Sequence, residues 1–373
     1  MKRLLPLALA ACASTNLPPA GTPGFRLEED ERTLWRIVSE NQSVIDKSGA
    51  VYADAALDAY LAQVAGKLVP PETTAQVAPR IRVLRDFRLN AFTLPNGAVY
   101  VHTGILARME SEAELAMLLG HEITHATHRH ALREFRDATN KTSVLAAVSA
   151  PLAGLPYAMS GPWLLASTRG YSREMETEAD ENGLALLAAA GYDLSESTQV
   201  FKRLQEWVRD EKVKEPFFYA THPRLSERVE NTERLLATTY AGRRGGARNA
   251  EAFVRATAQL VLEDGRLQLA AGRFGAAERD VRKHLAATPD SAAGESLLGE
   301  IERQRGGAGA AAHYRKAIEL DPASLEAHRG LGLVLFKSGD RSAAKAELSR
   351  YLELRPDAPD RAYVQQYLAQ IGE

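Results

Sequence analysis

The sequence predicts a mostly helical fold, in which an α+β core with a small β-sheet is followed by an α-solenoid of repeated helical hairpins. Two observations carry this prediction. Within residues 25–240, segments of helical periodicity surround two short runs of strand character. Beyond residue 256, Pro289, Pro322 and Pro356 recur at intervals of 33 and 34 residues, which is the spacing of stacked helical hairpins.

Length and composition agree with a folded protein of two or three domains. The chain has 373 residues, 25% of them are charged, and the formal net charge is −2. Neither this net charge nor any Lys/Arg-rich run indicates a nucleic-acid-binding surface. We therefore expect no nucleic-acid partner.

The N-terminus resembles the signal of a bacterial lipoprotein. Residues 1–11 combine a short basic start with an apolar run, and they end immediately before Cys12, which is the sole cysteine. A spanning helix needs about 20 apolar residues, and this run is far shorter. We expect residues 1–11 to be a cleaved signal peptide and Cys12 to be acylated, whereas the alternative is an ordinary secretory signal. Because no aspartate follows Cys12, we expect a periplasmic protein anchored to the outer membrane of a Gram-negative bacterium.

The first elements of the core follow a short connecting segment. Residues 12–24 are rich in Ser, Thr, Asn, Pro and Gly, which predicts a flexible tether. The acidic run 28–31 predicts the first turn of a helix, and a second helix is expected at about 57–68. Residues 81–85 and 98–102 have strand character. The second strand either offers a free edge to an extended peptide or is an internal strand that is already paired.

Residues 121–125 read His-Glu-Ile-Thr-His and form the most informative motif. Histidines at positions i and i+4 of a helix lie on one face, so His121 and His125 can bind one metal ion. The side chain of Glu122 lies beside the coordination sphere of the metal ion rather than in it, and there it can accept a proton from a water molecule. The motif predicts an active-site helix with two zinc ligands and a general base.

The sequence around this motif indicates where the helix begins. Ser111 and Glu114 form a capping-box pattern, which places the helix start just upstream of the motif. His128 lies one turn beyond the motif, and His130 points nearly opposite on a helical wheel. We interpret both as rim or structural histidines rather than ligands.

A catalytic zinc ion needs a third protein ligand and an open position. Downstream, Glu176 and Asp180 lie among apolar residues on a helical wheel, where carboxylates are costly unless they are paired or bind metal. The other acidic residues of this stretch occupy the usual solvated side: Glu174, Glu178 and Glu181. We predict Glu176 as the third ligand and Asp180 as the hydrogen-bond acceptor of a ligating histidine. The alternative is a buried ion pair with an arginine.

These ordered motifs resemble the zinc metallopeptidases typified by HtpX and the CAAX prenyl endopeptidases. The resemblance covers about residues 25–236 and rests on residues 90–104, the HExxH helix, residues 171–180, and Thr221-His222-Pro223 with Arg228. It implies an endopeptidase with one zinc ion, held by His121, His125 and Glu176. Asn96 stands where the family usually has glycine, but asparagine also tolerates a left-handed turn.

The resemblance also points to His222 and Arg228. His222 would either occupy the fourth zinc position in a resting state or donate to the oxyanion of the tetrahedral intermediate. Arg228 would position His222 or the substrate carbonyl. In the implied mechanism, Glu122 accepts the proton of the attacking water. The proton donor to the leaving amine is then Glu122, His222 or Asp180.

Residues 142–168 contain no charged side chain, and several prolines and glycines interrupt any long helix there. We expect either an apolar loop over the active-site cleft, in contact with lipid or unfolded substrate, or a purely structural buried hairpin.

The C-terminal part has the signature of tetratricopeptide repeats. We expect a linker at 241–255 and a repeat domain at 256–373, with about three repeats up to residue 356 and a capping helix near 361–371. The repeats either act as a rigid spacer or form a concave groove that binds a peptide or a partner complex.

A zinc-peptidase core (residues 25–240) joined to such repeats is similar to envelope proteases of the periplasm. That similarity implies three partners: unfolded or assembling outer-membrane proteins, the outer-membrane β-barrel assembly machinery through the repeats, and the membrane through the lipid anchor. The alternative is a tetratricopeptide chaperone or adaptor whose peptidase site is latched or weakly active. The complete set of zinc ligands and general base argues against a vestigial site.

Replacing Cys12 by Ser tests the anchor. Because the substitution removes the sole thiol, we expect acylation to be lost and the protein to be unprocessed or soluble. Lipid labelling with membrane fractionation measures both effects, and Thr15→Ser is the matched control. A Cys12→Ser protein that is processed normally and stays tightly bound to membranes would contradict the lipoprotein interpretation.

Overall fold

The structure is a computed structural model that describes residues 14–140, 170–210, 222 and 225–372. The chain divides into two compact units, Met1–Ala256 and Thr257–Glu373. The predicted fold class, an α+β core followed by a helical repeat region, is confirmed. The expectations for the signal peptide and Cys12, and for residues 142–168, lie outside the described residues.

The described part of the first unit is built from nine helices, a short 3₁₀ helix at Leu194–Thr198 and a three-stranded sheet. The helices are α1 (Glu29–Lys47), α2 (Ala55–Leu68), α3 (Pro71–Thr74), α4 (Thr103–Arg108), α5 (Glu112–Thr127), α6 (His130–Asn140), α7 (Arg173–Ala189), α8 (Gln199–Asp210) and α9 (Leu225–Ala237). The acidic run predicted to open a helix does so, since Glu28 and Glu31 form a capping box at the start of α1.

The sheet has the strand order β1-β3-β2, with β1 at Arg80–Leu84, β2 at Ala91–Thr93 and β3 at Ala98–His102. β3 is parallel to β1 and antiparallel to β2. The strand at 98–102 is therefore the internal, paired strand of the two alternatives considered. All five residues of β3 are buried, so neither face of this strand is exposed to solvent.

Helix α5 carries the HExxH motif and is buried along its whole length. It begins where the sequence predicts, because the Ser111 side chain accepts a hydrogen bond from the backbone N–H of Glu114. The Glu114 carboxylate does not complete a capping box with Ser111 but pairs with Arg203 of α8. The predicted start of the helix is thus correct, although Glu114, the second residue of the capping pattern, makes a tertiary contact instead.

Helices α5 and α7 approach each other closely at two glycines. A Cβ atom added to Gly120 would lie 3.2 Å from the Cα of Gly183, and one added to Gly183 would lie 3.0 Å from the backbone nitrogen of His121. Such distances are shorter than normal contacts to backbone atoms, so any larger residue would push the helices apart. The glycine pair therefore sets the distance between the HExxH motif and the acidic residues of α7.

A buried carboxylate, Glu112, lies at the first turn of α5 and collects four hydrogen bonds. The hydroxyls of Tyr60 and Tyr192, the Lys67 ammonium and the Asn249 amide all donate to it, at 2.7–2.8 Å. Burial favours the neutral acid, but the four donors outweigh burial and lower the pKa of Glu112 to about 2. This carboxylate ties three separate parts of the first unit to the start of α5.

The segment predicted as a linker, 241–255, is held against the first unit in its second half. Ala247 exchanges backbone hydrogen bonds with Gly191 and Asp193, and the Arg248 carbonyl accepts from the Ala113 N–H in the first turn of α5. Helix α10 (Ala250–Ala270) then begins inside the predicted linker.

Residues 14–24, the described part of the predicted tether, make several hydrogen bonds to the core. The Ala20 N–H donates to the carbonyl of Thr127 at the end of α5, and Gly21 N–H donates to the Gln76 side chain. Arg136 donates to the carbonyl of Ser14. The segment therefore lies along the core, because its backbone groups satisfy donors and acceptors that the core leaves open.

The second unit consists of helical hairpins, as predicted. After α10, its helices are α11 (Phe274–Ala287), α12 (Ala292–Arg305), α13 (Ala310–Leu320), α14 (Leu325–Ser338), α15 (Arg341–Leu354) and α16 (Arg361–Gly372). Small residues lie at the helix crossings, where Gly299 and Gly330 face the ring of Tyr314 and Gly332 faces Leu348. Each pair of helices buries a shared apolar face, which is the packing expected of stacked repeats.

Among the described helices, none has both the length and the apolar character needed to cross a bilayer.

Substituting Glu112 by Gln tests the role of this carboxylate in stability. The new amide group would face four donors, so we expect the free energy of unfolding to fall by about 1–3 kcal/mol in urea titrations. Because the folded pKa of about 2 lies below the unfolded value, the stabilisation is present above pH 4.5 and is lost as pH falls towards 2. The difference between wild type and variant should therefore narrow between pH 5 and pH 3. The exposed Glu72→Gln serves as the control, and an equal loss in both variants would contradict this role.

Candidate active site

Four side chains predicted from the sequence converge in one buried group. His121 and His125 from α5, Glu176 from α7 and His222 each offer one ligand atom, and these atoms lie within 4.8 Å of one another. At most 4% of any of these four residues is exposed. The structure thus brings together the three predicted zinc ligands and the remaining histidine candidate.

The spacing of the donor atoms fits a tetrahedral zinc site. With bonds of about 2.0–2.1 Å, tetrahedral geometry places ligand atoms about 3.3 Å apart. The Nε2 atoms of His121 and His125 are 3.0 Å apart, and His222 Nδ1 is 3.2 Å from His121 Nε2. Glu176 Oε1 lies 3.5 Å from His125 Nε2 and 3.1 Å from His222 Nδ1. Two or three imidazoles with one carboxylate are a donor set that zinc accepts.

The charges around the donor group also leave room for a divalent cation. The buried carboxylates of Glu122, Glu176 and Asp180 face one buried guanidinium, that of Arg228. Acidic side chains therefore outnumber the guanidinium around the donor group. Burial lowers the pKa of His222, but the carboxylates of Glu176 and Glu122 outweigh burial and raise it. The site attracts positive charge and is compatible with a single zinc ion.

Asp180 lies where the sequence interpretation expected it, one helical turn after Glu176. Its Oδ1 is 2.9 Å from His121 Nδ1, so the proton of His121 lies on Nδ1 and its Nε2 lone pair faces the donor group. Burial alone would raise the pKa of Asp180, but Arg228 and His121 lower it to about 2. Asp180 is ionised, and it fixes the tautomer of His121.

Arg228 supports the site through its carboxylates. Its Nε and Nη2 donate to the two oxygens of Asp180 at 2.9 and 2.6 Å, and its Nη1 is 3.4 Å from Glu176 Oε2. The guanidinium also lies over the ring of Phe201, 4.3 Å from the ring centroid. These contacts hold the carboxylates of α7 in place, and the predicted role of Arg228 towards His222 or a substrate carbonyl stays a prediction.

Glu122 is oriented by a residue that the sequence interpretation did not single out. The Thr93 hydroxyl, from the edge strand β2, donates to Glu122 Oε2 at 2.8 Å. Glu122 Oε1 is buried, lies 3.4 Å from His222 Nε2 and has no hydrogen-bond partner among the described residues. One carboxylate oxygen is thus held by the sheet and the other faces the donor group. Thr93 lies within residues 90–104, which carry part of the family resemblance, but the strand pattern alone does not indicate this role.

The helical wheel misplaced His130 and Glu178. His130 is fully buried, and its Nδ1 lies 2.8 Å from His125 Nδ1. Its Nε2 is 3.2 Å from Glu178 Oε2, which also accepts from Arg133 at 2.8 Å. The expectation that His130 points away from the site is wrong, and Glu178 is not simply a solvated residue.

The cause of this error is a break in the helix. Arg129 adopts φ of 59°, in the left-handed region that ends α5 and starts α6 at His130. A wheel that continues α5 through this residue therefore gives the wrong direction for His130. His128, just before the break, lies at the rim as predicted, with Nε2 3.9 Å from Glu178 Oε1.

Comparisons with known proteins agree with this geometry. Residues 55–236 match the model of peptidase family M48, and residues 299–339 match a TPR repeat model. A Vibrio cholerae protein, provisionally named a beta-barrel assembly-enhancing protease, is 31% identical over 243 residues, which are 60% of this chain and 48% of that protein. The Escherichia coli beta-barrel assembly-enhancing protease is 26% identical over 195 residues, or 49% of this chain and 39% of the relative.

A human mitochondrial protein is also similar to this chain. The human metalloendopeptidase OMA1 is 33% identical over 233 residues, which are 58% of this chain and 43% of that protein. The chain spans about half the length of the curated relatives it matches.

Metal analysis of Glu176→Gln tests the ligand set. Because Gln cannot offer a charged oxygen, we expect near-stoichiometric zinc in the wild type and a loss of most of it in the variant, measured by elemental analysis after dialysis. Glu181→Gln on the exposed face of α7 is the control and should keep its zinc. Glu178→Gln is unsuitable as a control because of its contact with His130. Full zinc occupancy in Glu176→Gln would overturn the assignment.

Proposed function

We propose that this chain, whose residues 55–236 form a peptidase family M48 domain, is a zinc-dependent endopeptidase. The observation that carries the proposal is the buried donor group of His121, His125 and Glu176, with the general base Glu122 facing it. Its spacing and the excess of acidic side chains around it suit one zinc ion. When bound, zinc polarises the substrate carbonyl and lowers the pKa of a water molecule to about 7.

Glu122 takes the role of general base in this proposal. Thr93 holds Oε2, so Oε1 remains available to accept the proton of the attacking water. The same carboxylic acid can then return the proton to the leaving amine. Asp180 was a further candidate for that transfer, but its pKa of about 2 and its bonds to His121 and Arg228 leave it no proton to give. Asp180 orients His121 instead.

His222 occupies a position that corresponds to a resting state. Its Nδ1 lies among the donor atoms, and four protein ligands would close a zinc site, whereas a catalytic site keeps one position open. We propose that His222 leaves the donor group when substrate binds. In the present structure its Nε2 lies 3.4 Å from Glu122 Oε1, and we propose that the displaced imidazole donates to the developing oxyanion or the leaving amine.

The cellular setting is proposed from the sequence signal and the named relatives. The Cys12 signal supports a lipoprotein of the periplasm, and relatives named beta-barrel assembly-enhancing proteases support outer-membrane proteins as substrates. The tetratricopeptide unit would bind those substrates or the assembly machinery.

A second function, that of a chaperone or adaptor, is favoured by one observation. His222 lies within the donor group, and this arrangement corresponds to a latched peptidase site of low activity. The repeats would then carry the main function.

Glu122→Gln tests the protease mechanism. The variant is nearly isosteric and keeps the ligands, so we expect normal folding and zinc content with peptidase activity reduced about 10²–10⁴-fold. Degradation of a misfolded outer-membrane substrate by the purified protein is the measurement, and Glu181→Gln is the control. A Glu122→Gln protein that degrades substrate at the wild-type rate would refute the mechanism.

The same variant separates protease from chaperone in cells. We expect Glu122→Gln to lose substrate degradation but to restore part of the envelope integrity of a deletion strain. A chain ending at Ala256 keeps residues 247–249, which cap α5, and should lose the part of the rescue that the repeats supply. Full rescue by the shortened chain would rule out a chaperone role for the repeats.

A further inference from the structure

We propose that His130 and Glu178 are positioning residues that fix the tautomer and ring orientation of His125, and thereby set the zinc affinity of the site. The inference rests on the proposed role of His125 as a zinc ligand. It concerns a chain of three side chains, His125, His130 and Glu178, that is separate from the Asp180 contact of His121.

The hydrogen-bond pattern allows one arrangement of protons. If His125 offers Nε2 to the donor group, its own proton lies on Nδ1, which faces His130 Nδ1 at 2.8 Å. His130 Nδ1 must then be the acceptor, so the proton of the neutral His130 lies on Nε2. That N–H points to Glu178 Oε2 at 3.2 Å. Each imidazole therefore has a defined tautomer, and the carboxylate at the end of the chain defines both.

The end of this chain is held by a cation. Arg133 Nη1 donates to the same Oε2 of Glu178 at 2.8 Å, so the carboxylate is fixed between a guanidinium and an imidazole N–H. A fixed acceptor holds the His130 ring, and the buried His130 ring holds that of His125. Polarisation along such a chain also increases the electron density on His125 Nε2, which strengthens its bond to a metal.

Backbone and packing around His130 indicate that its position is built into the fold. Arg129 carries the left-handed turn that directs His130 towards the site, and this conformation is unfavourable for arginine. The Arg129 side chain is held by the buried Glu31 carboxylate and by the carbonyl of Arg26. On the other side, the Tyr171 ring is stacked on His125 at 4.0 Å. Stacking restricts the tilt of the His125 ring, while His130 fixes its rotation and tautomer.

The test compares two substitutions of His130 in the full-length protein. His130→Phe keeps the ring and removes the acceptor, whereas His130→Asn keeps an oxygen acceptor near the position of Nδ1. Zinc dissociation constants are measured by competition with a chromophoric chelator. We expect binding about 10–100-fold weaker for His130→Phe and close to wild type for His130→Asn. His128→Phe is the matched control, because His128 lies near Glu178 but at the rim.

A second readout separates positioning from a merely structural role. The melting temperature is measured with and without zinc for each variant. A positioning role predicts that zinc raises the melting temperature of His130→Phe less than that of the wild type, in line with the about 10–100-fold weaker binding, while its metal-free form melts close to wild type. The inference is overturned if His130→Phe binds zinc like the wild type, if His130→Asn binds as weakly as His130→Phe, or if only the metal-free stability falls.

Glu176→Gln in the same competition assay distinguishes this inference from the proposed function. If Glu176→Gln loses zinc and His130→Phe does not, the ligand set stands and the positioning chain is wrong. If Glu176→Gln binds zinc like the wild type, the ligand set itself is wrong and the proposed function fails with it.

Discussion

The close approach of two helices at Gly120 and Gly183 is the constraint on which the candidate site depends. The HExxH motif on α5 supplies two imidazoles but no third ligand, and the nearest acidic side chains come from α7. A carboxylate on a short glutamate side chain reaches the histidines only if the two backbones nearly touch. Because an added Cβ at either glycine would meet backbone of the facing helix at 3.0–3.2 Å, a larger residue would force the two helices apart by a few tenths of an ångström.

That approach concentrates negative charge in a buried region, and the rest of the site compensates for it. Glu176 and Asp180 enter together on one face of α7, while Glu122 faces them from α5. Arg228 neutralises part of this charge and is itself desolvated, which is costly without partners on several sides. The remaining excess explains why the pKa of His222 is raised although burial opposes its charged form. The geometry that assembles the ligands therefore also creates the field that attracts a cation.

The parts of the structure that the sequence predicted are those governed by local periodicity. The helix start at Ser111, the strand at Ala98–His102, the side of α7 that carries Glu176 and the repeat spacing all follow from patterns within one element. The errors arose where the chain leaves an element. The predicted direction of His130 is wrong because Arg129 adopts a left-handed backbone conformation and ends the helix. Residue 129 is neither glycine nor asparagine, so the sequence does not indicate this turn. Thr93 could not be found, because its role depends on tertiary contact between a strand and α5.

The hydrogen bonds of residues 14–24 and 247–249 have a physical reason that concerns α5 itself. A buried helix cannot leave its terminal backbone groups to water, so other parts of the chain must satisfy them. At the first turn, the Ala113 N–H donates a hydrogen bond to the Arg248 carbonyl. At the last turn, the Thr127 carbonyl accepts one from the Ala20 N–H. Composition describes only how a segment behaves alone. Here two segments outside the helices are held by the terminal backbone groups of α5, and the helix that carries His121, Glu122 and His125 is in turn held at both ends by them.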